Sequence, residues 1–236
     1  MKKTKIFVFY YDENQEQNLI KGNLFVPYKN RDTNLFLENQ LIYDVAKSDL
    51  IEDCEYVGFL SHKHWMVEFN KTIPDDSPFK NYSKRIINNE SVSFFIEDNV
   101  ADVISFNTKR GHDTFGLGNA IHPGMSKLLD LFLTRLGIPL DVNKFSHEPI
   151  YRNFFIIKKE HLIDFAENYL KKIFELTYSD KEIYELSIIE QENYHQRAPE
   201  PFVQNTGFTR YTLVLFLVER FINLYVNIKN LKVVGY

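Results

Sequence analysis

A short polar stretch directly follows one of the most apolar runs of the chain. The stretch comprises Ser61, His62, Lys63 and His64, and the run before it spans residues 55–60. Lysine carries a point charge, and histidine offers a hydrogen-bond donor near neutral pH. Such a set suits an anionic ligand group such as a phosphate. An exposed polar turn would have the same composition, so the pattern leaves both interpretations open.

Two successive tyrosines, Tyr10 and Tyr11, end the first apolar run, residues 5–11. Aromatic rings at the end of a strand can stack on or flank a planar ligand such as a nucleobase. Successive side chains of a strand point to opposite faces, so one of the two tyrosines can instead pack into the core.

Three side chains in the second half of the chain are candidates for proton transfer. Asp113 lies in a loop rich in glycine and cations, His147 precedes an apolar run, and Glu219 interrupts another. A carboxylate or an imidazole next to a reacting hydroxyl can remove its proton. Glu219 has a structural alternative, because an ion pair that holds the C-terminal helix would also explain a charge at this place.

Two asparagines, Asn107 and Asn153, are candidate ligand contacts because each lies beside an apolar run. A buried asparagine must satisfy its amide, so it bonds either to backbone groups or to a ligand. Both residues are therefore placed with the binding candidates.

Predicted strands and predicted helices alternate along the chain, and these elements must position the candidate groups. Apolar and β-branched runs predict strands over residues 5–11, 55–60, 101–107, 151–157 and 231–234. Helical spacing predicts helices over residues 34–47, 81–89, 126–136, 159–176 and 211–227. This order predicts an α/β sandwich with a mostly parallel central sheet, in which a ligand lies beyond the carboxyl ends of the strands.

The composition limits the class of protein. The 236 residues include 44% hydrophobic and 25% charged residues, with a net charge of −4 and a single cysteine, Cys54. One cysteine excludes an internal disulfide, and the acidic balance disfavours nucleic acid as a partner. No apolar run reaches the roughly 20 residues of a spanning helix. We expect one soluble, cytoplasmic domain, with residues 1–110 and 111–236 as its two halves.

Four segments resemble a bacterial family of capsular and exopolysaccharide glycosyltransferases that is often described only as a domain of unknown function. Segment 56–64 (YVGFLSHKH) resembles the family pattern Y-V-G-x-x-H-Y-R-R, and segment 38–43 carries a Glu and a Tyr as the family's upstream helix does. Segment 152–159 (RNFFIIKK) resembles N-M-F-I-M-K-K, and segment 216–225 (FLVERFINLY) resembles F-x-x-E-R-L-x-x-x-Y/W. The segments follow one another in the family's order.

The resemblance implies a GT-A-like, Rossmann-type three-layer sandwich with C-terminal helices. It also implies transfer of a hexose from a nucleotide sugar to a saccharide or lipid-linked acceptor in surface polysaccharide synthesis. In that interpretation residues 1–110 bind the donor, and residues 111–236 hold the acceptor half and the C-terminal helices. An acceptor in the membrane would place the protein peripherally on the inner membrane face.

The sequence departs from the family pattern at two points. Lys63 and His64 replace the paired arginines, and no Asp-x-Asp motif is present. GT-A enzymes often hold Mn²⁺ or Mg²⁺ with that motif, because hard oxygen ligands suit these ions. Asp98 and Asp102 are the candidate metal ligands, without the spacing of the motif. These departures support an alternative, a catalytically degenerate relative that acts as a carbohydrate-binding or assembly module.

Overall fold

A computed structural model describes residues 2–31, 34–63, 87–106, 114–139, 150, 153–192 and 197–236. Within these residues the strands form one six-stranded sheet. The strands are β1 (Thr4–Tyr10), β2 (Phe25–Lys29), β3 (Tyr56–Ser61), β4 (Val103–Ser105), β5 (Phe155–Lys158) and β6 (Val233–Gly235). Both predicted halves of the chain contribute strands, since β5 and β6 come from the second half.

The sheet has the strand order β2-β1-β3-β5-β4-β6. β1 pairs in parallel with both β2 and β3, and β4 pairs in parallel with β6. Of the described strands, only β5 is antiparallel to its neighbours, which are β3 and β4. The prediction of an α/β fold with a mostly parallel sheet is therefore confirmed.

The central strands are buried on both faces. Phe7 and Phe9 of β1 pack into one apolar cluster, while Ile6 and Val8 pack into a second cluster on the opposite face. Strands covered by helices on both sides are expected to be apolar at every position. The alternation shows that the sheet is the middle layer of three.

Gly58 in β3 leaves space for the side chains of its partners in the neighbouring strands. A Cβ atom at this position would lie 2.9 Å from side-chain carbons of both Ile6 and Ile156. A larger residue would displace these two side chains, so glycine is favoured here by their close approach.

Helices cover both faces of the sheet. They are α1 (Glu13–Gln17), α2 (Glu38–Lys47), α3 (Asn89–Asp98), α4 (Thr114–Ile121), α5 (Met125–Leu136), α6 (Lys159–Phe165), α7 (Lys171–Ser179), α8 (Lys181–Ser187), α9 (Glu200–Thr206), α10 (Leu213–Val218) and α11 (Phe221–Ile228). A π-helical turn, Ala166–Leu170, joins α6 to α7. Helix α3 packs against one face, while α2 and the helices from α5 to α8, α10 and α11 bury the larger cluster on the other. None of the described helices has the length and apolarity needed to cross a membrane.

All five predicted strands are present, each within four residues of its predicted start. β2 was not predicted, and its central Pro27 explains the omission. Proline cannot donate to a ladder, so it weakens a strand prediction except at a sheet edge, where β2 lies.

Three helix predictions differ from the structure. Helix α2 begins at Glu38 instead of residue 34, because the Asn34 side chain accepts a hydrogen bond from the Phe36 N–H (2.9 Å) and holds a local turn. The helix predicted over residues 211–227 is two helices, separated where Glu219 and Arg220 interrupt the apolar run. Of the helix predicted over residues 81–89, residues 81–86 lie outside the described residues, and the described part is not helical until α3 begins at Asn89.

Candidate functional site

The sheet changes its direction of winding between β1 and β3. The chain leaves β1 to form β2 on one side, and then returns to form β3 on the other side. In open α/β sheets this change leaves a crevice at the carboxyl ends of the two strands, where ligands bind. A cavity of about 370 Å³ lies there. Its lining residues are Tyr11, Asp12, Gln15, His62, Lys63, Arg197, Pro199, Glu200, Pro201 and Tyr211.

The wall that follows β1 is held by local hydrogen bonds. Asp12 caps α1, its Oδ1 accepting from the Gln15 N–H at 2.9 Å. The Gln15 side chain accepts in turn from the Tyr11 N–H at 2.8 Å. These two bonds fix the backbone of the turn, so Tyr11 enters the cavity from a defined position.

The wall that follows β3 is a tight polar turn. The backbone N–H of His62 donates to the carbonyl of Phe9 (2.7 Å), and Ser61 Oγ accepts from the Lys63 N–H (3.2 Å). The His62 ring packs edge-on against Tyr11, with ring centroids 5.7 Å apart. The turn thereby presents His62 and Lys63 to the cavity, while Ser61 is buried as the last residue of β3.

The third wall comes from the C-terminal half, through a segment that we call the arm, residues 197–211. Its ends are joined by an antiparallel bridge between Arg197 and Arg210. Phe202 of α9 is fully buried in a small apolar cluster with Leu37 and Leu215, against which Tyr11 packs. This packing holds the arm beside Tyr11 and brings the side chain of Arg197 to the cavity.

The Tyr11 phenol lies in an apolar and acidic environment. Burial, followed by the neighbouring charges of Glu38 and Glu219, raises the pKa of Tyr11 well above its ordinary value, and the Asn30 amide acts in the opposite direction. The hydroxyl is therefore neutral near pH 7 and available as a hydrogen-bond donor. Two predicted segments, 38–43 and 216–225, thus meet beside the cavity.

Two asparagines lie at the same edge of the sheet. Asn30 directly follows β2, and its N–H donates to the Tyr10 carbonyl at 2.7 Å. Asn153 precedes β5, and the reversed direction of β5 brings its start to the edge where β3 ends. Asn153 Nδ2 lies 3.5 Å from Glu38 Oε2. The predicted residue Asn153 therefore lies near Tyr11 and its acidic neighbours.

Tyr10 packs into the core, which is one of the two alternatives that the sequence left open for the paired tyrosines. It is buried in the smaller of the two sheet clusters, on the face opposite Phe9. Burial and a hydrogen bond with Glu16 raise the pKa of its hydroxyl. The structure thus separates the two tyrosines, placing Tyr10 in the core and Tyr11 at the cavity.

The candidate metal ligands lie at the opposite edge of the sheet. Asp98 is an exposed residue at the end of α3, and Asp102 precedes β4. Asp102 accepts from Lys158 Nζ at 2.8 Å and from the Lys232 N–H at 2.9 Å. In the described ranges, no three His, Cys, Asp or Glu side chains are grouped to hold a metal ion. Asp98 and Asp102 therefore lie away from the cavity.

Four predicted site residues lie outside the described residues: His64, Asn107, Asp113 and His147. The remaining catalytic candidate, Glu219, caps α10 and lies near Tyr11.

Sequence reasoning missed Asn30, Arg197 and Tyr211. Asn30 follows the short alternating run 25–29, which would have marked it as a strand-end residue had β2 been recognised. Arg197 belongs to a polar segment with Pro199 and Pro201 that resembles a connection between helices, and Tyr211 was predicted as the first residue of a helix. No local pattern shows that this segment folds back onto β1.

The chain matches no known family model, no curated protein and no solved structure. The geometry of the cavity is therefore the basis for assigning a function.

Proposed function

We propose that the protein is a glycosyltransferase that moves a hexose from a nucleoside diphosphate sugar to a saccharide or lipid-linked acceptor. The observation that carries the proposal is the cavity between the carboxyl ends of β1 and β3. It combines the switch-point position with two cationic and two aromatic side chains: Lys63, Arg197, Tyr11 and Tyr211. Its volume of about 370 Å³ falls within the usual range of about 300–1,000 Å³ for small-molecule sites.

The two cations suit a diphosphate. Lys63 comes from the turn after β3 and Arg197 from the arm, so they line the cavity from different walls. Arginine can bind phosphate oxygens with two parallel hydrogen bonds, and lysine adds a point charge. Positive groups that stabilise the charge of a departing diphosphate accelerate its release.

The tyrosines suit the nucleoside. Tyr11 and Tyr211 both line the cavity, and each offers a ring face together with a polar hydroxyl. A nucleobase beside such groups gains stacking from the rings and hydrogen bonds from the hydroxyls. Asp12 and Glu200 at the rim can accept hydrogen bonds from ribose hydroxyls.

The reaction needs one proton acceptor. The oxygen of the acceptor hydroxyl forms a bond to the anomeric carbon, and the bond from that carbon to the diphosphate breaks. The bonding electron pair leaves with the diphosphate, and the hydroxyl proton passes to a base. Glu219 lies near the cavity residue Tyr11 and is our candidate for this base. Asp113 and His147 remain predicted alternatives from the sequence.

The convergence of the resembling segments supports a GT-A-like arrangement. Glu38, the turn at 61–63, Asn153 and Glu219 belong to four segments that are far apart in the chain. In the fold they lie around one edge of the sheet. This grouping is the one that a shared site requires, and it supports the proposal.

A binding experiment tests the proposal. We expect uridine or guanosine diphosphate sugars to raise the melting temperature of the full chain, with and without Mn²⁺, because a ligand of the folded state stabilises it. Calorimetric titration of Lys63→Ala and Arg197→Ala should show affinity reduced about tenfold in each, the loss of one charge-assisted contact.

The matched control is Lys21→Ala, which removes an exposed lysine before β2, at the other end of the strands. It should bind as the wild type does. No melting shift with any nucleotide sugar would overturn the proposal. Saccharide binding without nucleotide binding would favour the non-catalytic carbohydrate-binding module.

A further inference from the structure

A set of polar side chains lies near Tyr11 and is distinct from the residues that line the cavity. We call it the inner polar cluster and define it as Asn30, Glu38, Asn153 and Glu219. Its members come from four places in the chain: the end of β2, the start of α2, the start of β5 and the end of α10. Asn30, Glu38 and Glu219 lie near the phenol of Tyr11, and Asn153 contacts Glu38.

Asn30 is the member of the cluster whose side-chain amide lacks well-formed hydrogen bonds in the part of the chain that the structure describes. Its side chain is 2% exposed and lies beside the Tyr11 phenol. Among the described residues, neither the oxygen nor the nitrogen of its amide makes a hydrogen bond of normal length and angle. A buried amide without such bonds costs about 1–3 kcal/mol, so a fold that retains one commonly does so for a binding role.

Glu38 is positioned by the backbone on both sides of it. Leu37, which precedes it, is buried in the small apolar cluster that contacts Tyr11, and adopts a positive φ of 44°. Such a backbone conformation is unfavourable for leucine and persists only when the surroundings require it. The turn directs the chain so that the Glu38 carboxylate lies near the phenol and 3.5 Å from Asn153 Nδ2.

Glu219 reaches the cluster through helix geometry. Leu215 of α10 belongs to the same small apolar cluster as Leu37, and Glu219 lies four residues later, with its N–H bonded to the Leu215 carbonyl. Residues four apart on a helix share one face. Tyr11 is therefore packed against leucines from two elements, and a carboxylate adjoins each of them.

Charged groups of both signs lie near Tyr11. The cations Lys63 and Arg197 line the cavity together with Asp12 and Glu200, whereas Glu38 and Glu219 are outside that lining and act on the phenol. Carboxylates repel a phosphate but accept hydrogen bonds from hydroxyl groups, and the two amides offer both donors and acceptors. A ligand with an anionic part and a polyhydroxylated part would be oriented by this difference.

We propose that Asn30, Glu38, Asn153 and Glu219 form the subsite for the sugar ring of the donor, with the diphosphate held by Lys63 and Arg197 of the cavity. This inference rests on the proposed function, since it takes the ligand to be a nucleotide sugar. The hydroxyls of the ring donate to the two carboxylates, and the Asn30 amide gains well-formed hydrogen bonds. The subsite thus distinguishes the nucleotide sugar from the free nucleotide.

Calorimetric titration of the full chain with paired ligands tests the subsite. The probes are uridine diphosphate with uridine diphosphate glucose and galactose, and guanosine diphosphate with guanosine diphosphate mannose. In Glu38→Gln and Asn30→Leu we expect affinity for the bound nucleotide sugar to fall about tenfold or more, as for a lost buried hydrogen bond. Affinity for the matching free diphosphate should stay within about twofold of wild type.

Two controls keep the result interpretable. Glu175→Gln removes an exposed carboxylate of α7 and should leave both affinities unchanged. Melting curves establish that each variant is folded, and Asn30→Leu serves if Glu38→Gln does not fold. Equal losses for sugar and free diphosphate, or no loss for either, would overturn the subsite while leaving nucleotide binding intact. Absence of binding by every diphosphate would instead refute the proposed function itself.

Discussion

The two edges of the sheet contain similar residues but use them differently. At the amino-terminal edge, Asp102 bonds to Lys158 and to the backbone of Lys232, and Lys3 and Lys5 pair with Asp53. At the carboxyl-terminal edge, polar residues line a cavity, and the buried Asn30 amide makes no well-formed hydrogen bond within the described chain.

The difference separates charged groups that bond to one another from a buried amide that lacks well-formed hydrogen bonds in the described ranges. At the amino-terminal edge, Asp102 and Lys158 form an ion pair, and the backbone of Asp102 bonds to Lys232 just before β6. An unsatisfied amide at the other edge lowers stability until something binds to it. Removing polar groups should therefore have opposite consequences at the two edges.

The largest effect on stability is expected from Asp102→Ala. This change leaves Lys158 and the Lys232 N–H without their acceptor at the amino-terminal edge. The free energy of unfolding should fall by about 2 kcal/mol, as for the loss of hydrogen bonds to a charged group. Urea unfolding measures it. A loss that also abolished ligand binding would contradict the separation of the two edges.

A smaller loss is expected from Tyr56→Phe. The Tyr56 hydroxyl donates to the Ala101 carbonyl at 2.8 Å, in a buried position near the start of β3 and β4. Removing it leaves the carbonyl without this donor and should lower the free energy of unfolding by about 1 kcal/mol. Thermal and urea unfolding should agree on the change. A variant as stable as the wild type would show that the amino-terminal edge depends less on hydrogen bonds than we infer.

At the carboxyl-terminal edge, Asn30→Leu should not destabilise the unliganded protein. Leucine has similar branching and removes an amide that lacks well-formed hydrogen bonds. The free energy of unfolding is expected to stay equal to the wild-type value or to rise by up to about 1 kcal/mol. Parallel urea titrations with Asp102→Ala provide the contrast. A loss of the size seen for Asp102→Ala would place Asn30 among the structural residues.

The smallest effect concerns acid pH. Burial alone would raise the pKa of Asp102, but hydrogen bonds from Lys158 and the Lys232 N–H outweigh it and hold the pKa below its ordinary value. Its contribution to stability is therefore complete above the ordinary value of about 3.9 and is lost as the pH falls through the lowered folded-state pKa. In Asp102→Asn, unfolding measured below about pH 4 should vary less steeply with acid. Identical slopes would exclude this carboxylate as an acid-sensitive group.

Much of the sheet could be predicted from local pattern, but the site only in part. The turn containing His62 and Lys63 was predicted because a polar cluster follows a strongly apolar run. The choice between Tyr10 and Tyr11 could not be made, since alternation along a strand does not tell which face reaches a crevice. Arg197 could not be found at all, because its place depends on how the arm packs against Leu37 and Leu215.

The sequence by itself determined the α/β class, because the spacing of apolar residues and the content of β-branched residues are local signals that distinguish strands from helices. It also determined that polar groups would follow β1 and β3. Only the tertiary structure decided that β5 runs antiparallel, so that Asn153 reaches the edge where β3 ends. It likewise decided that Glu38 and Glu219 would meet near one phenol. Strand order and direction depend on long-range packing, which no local periodicity encodes.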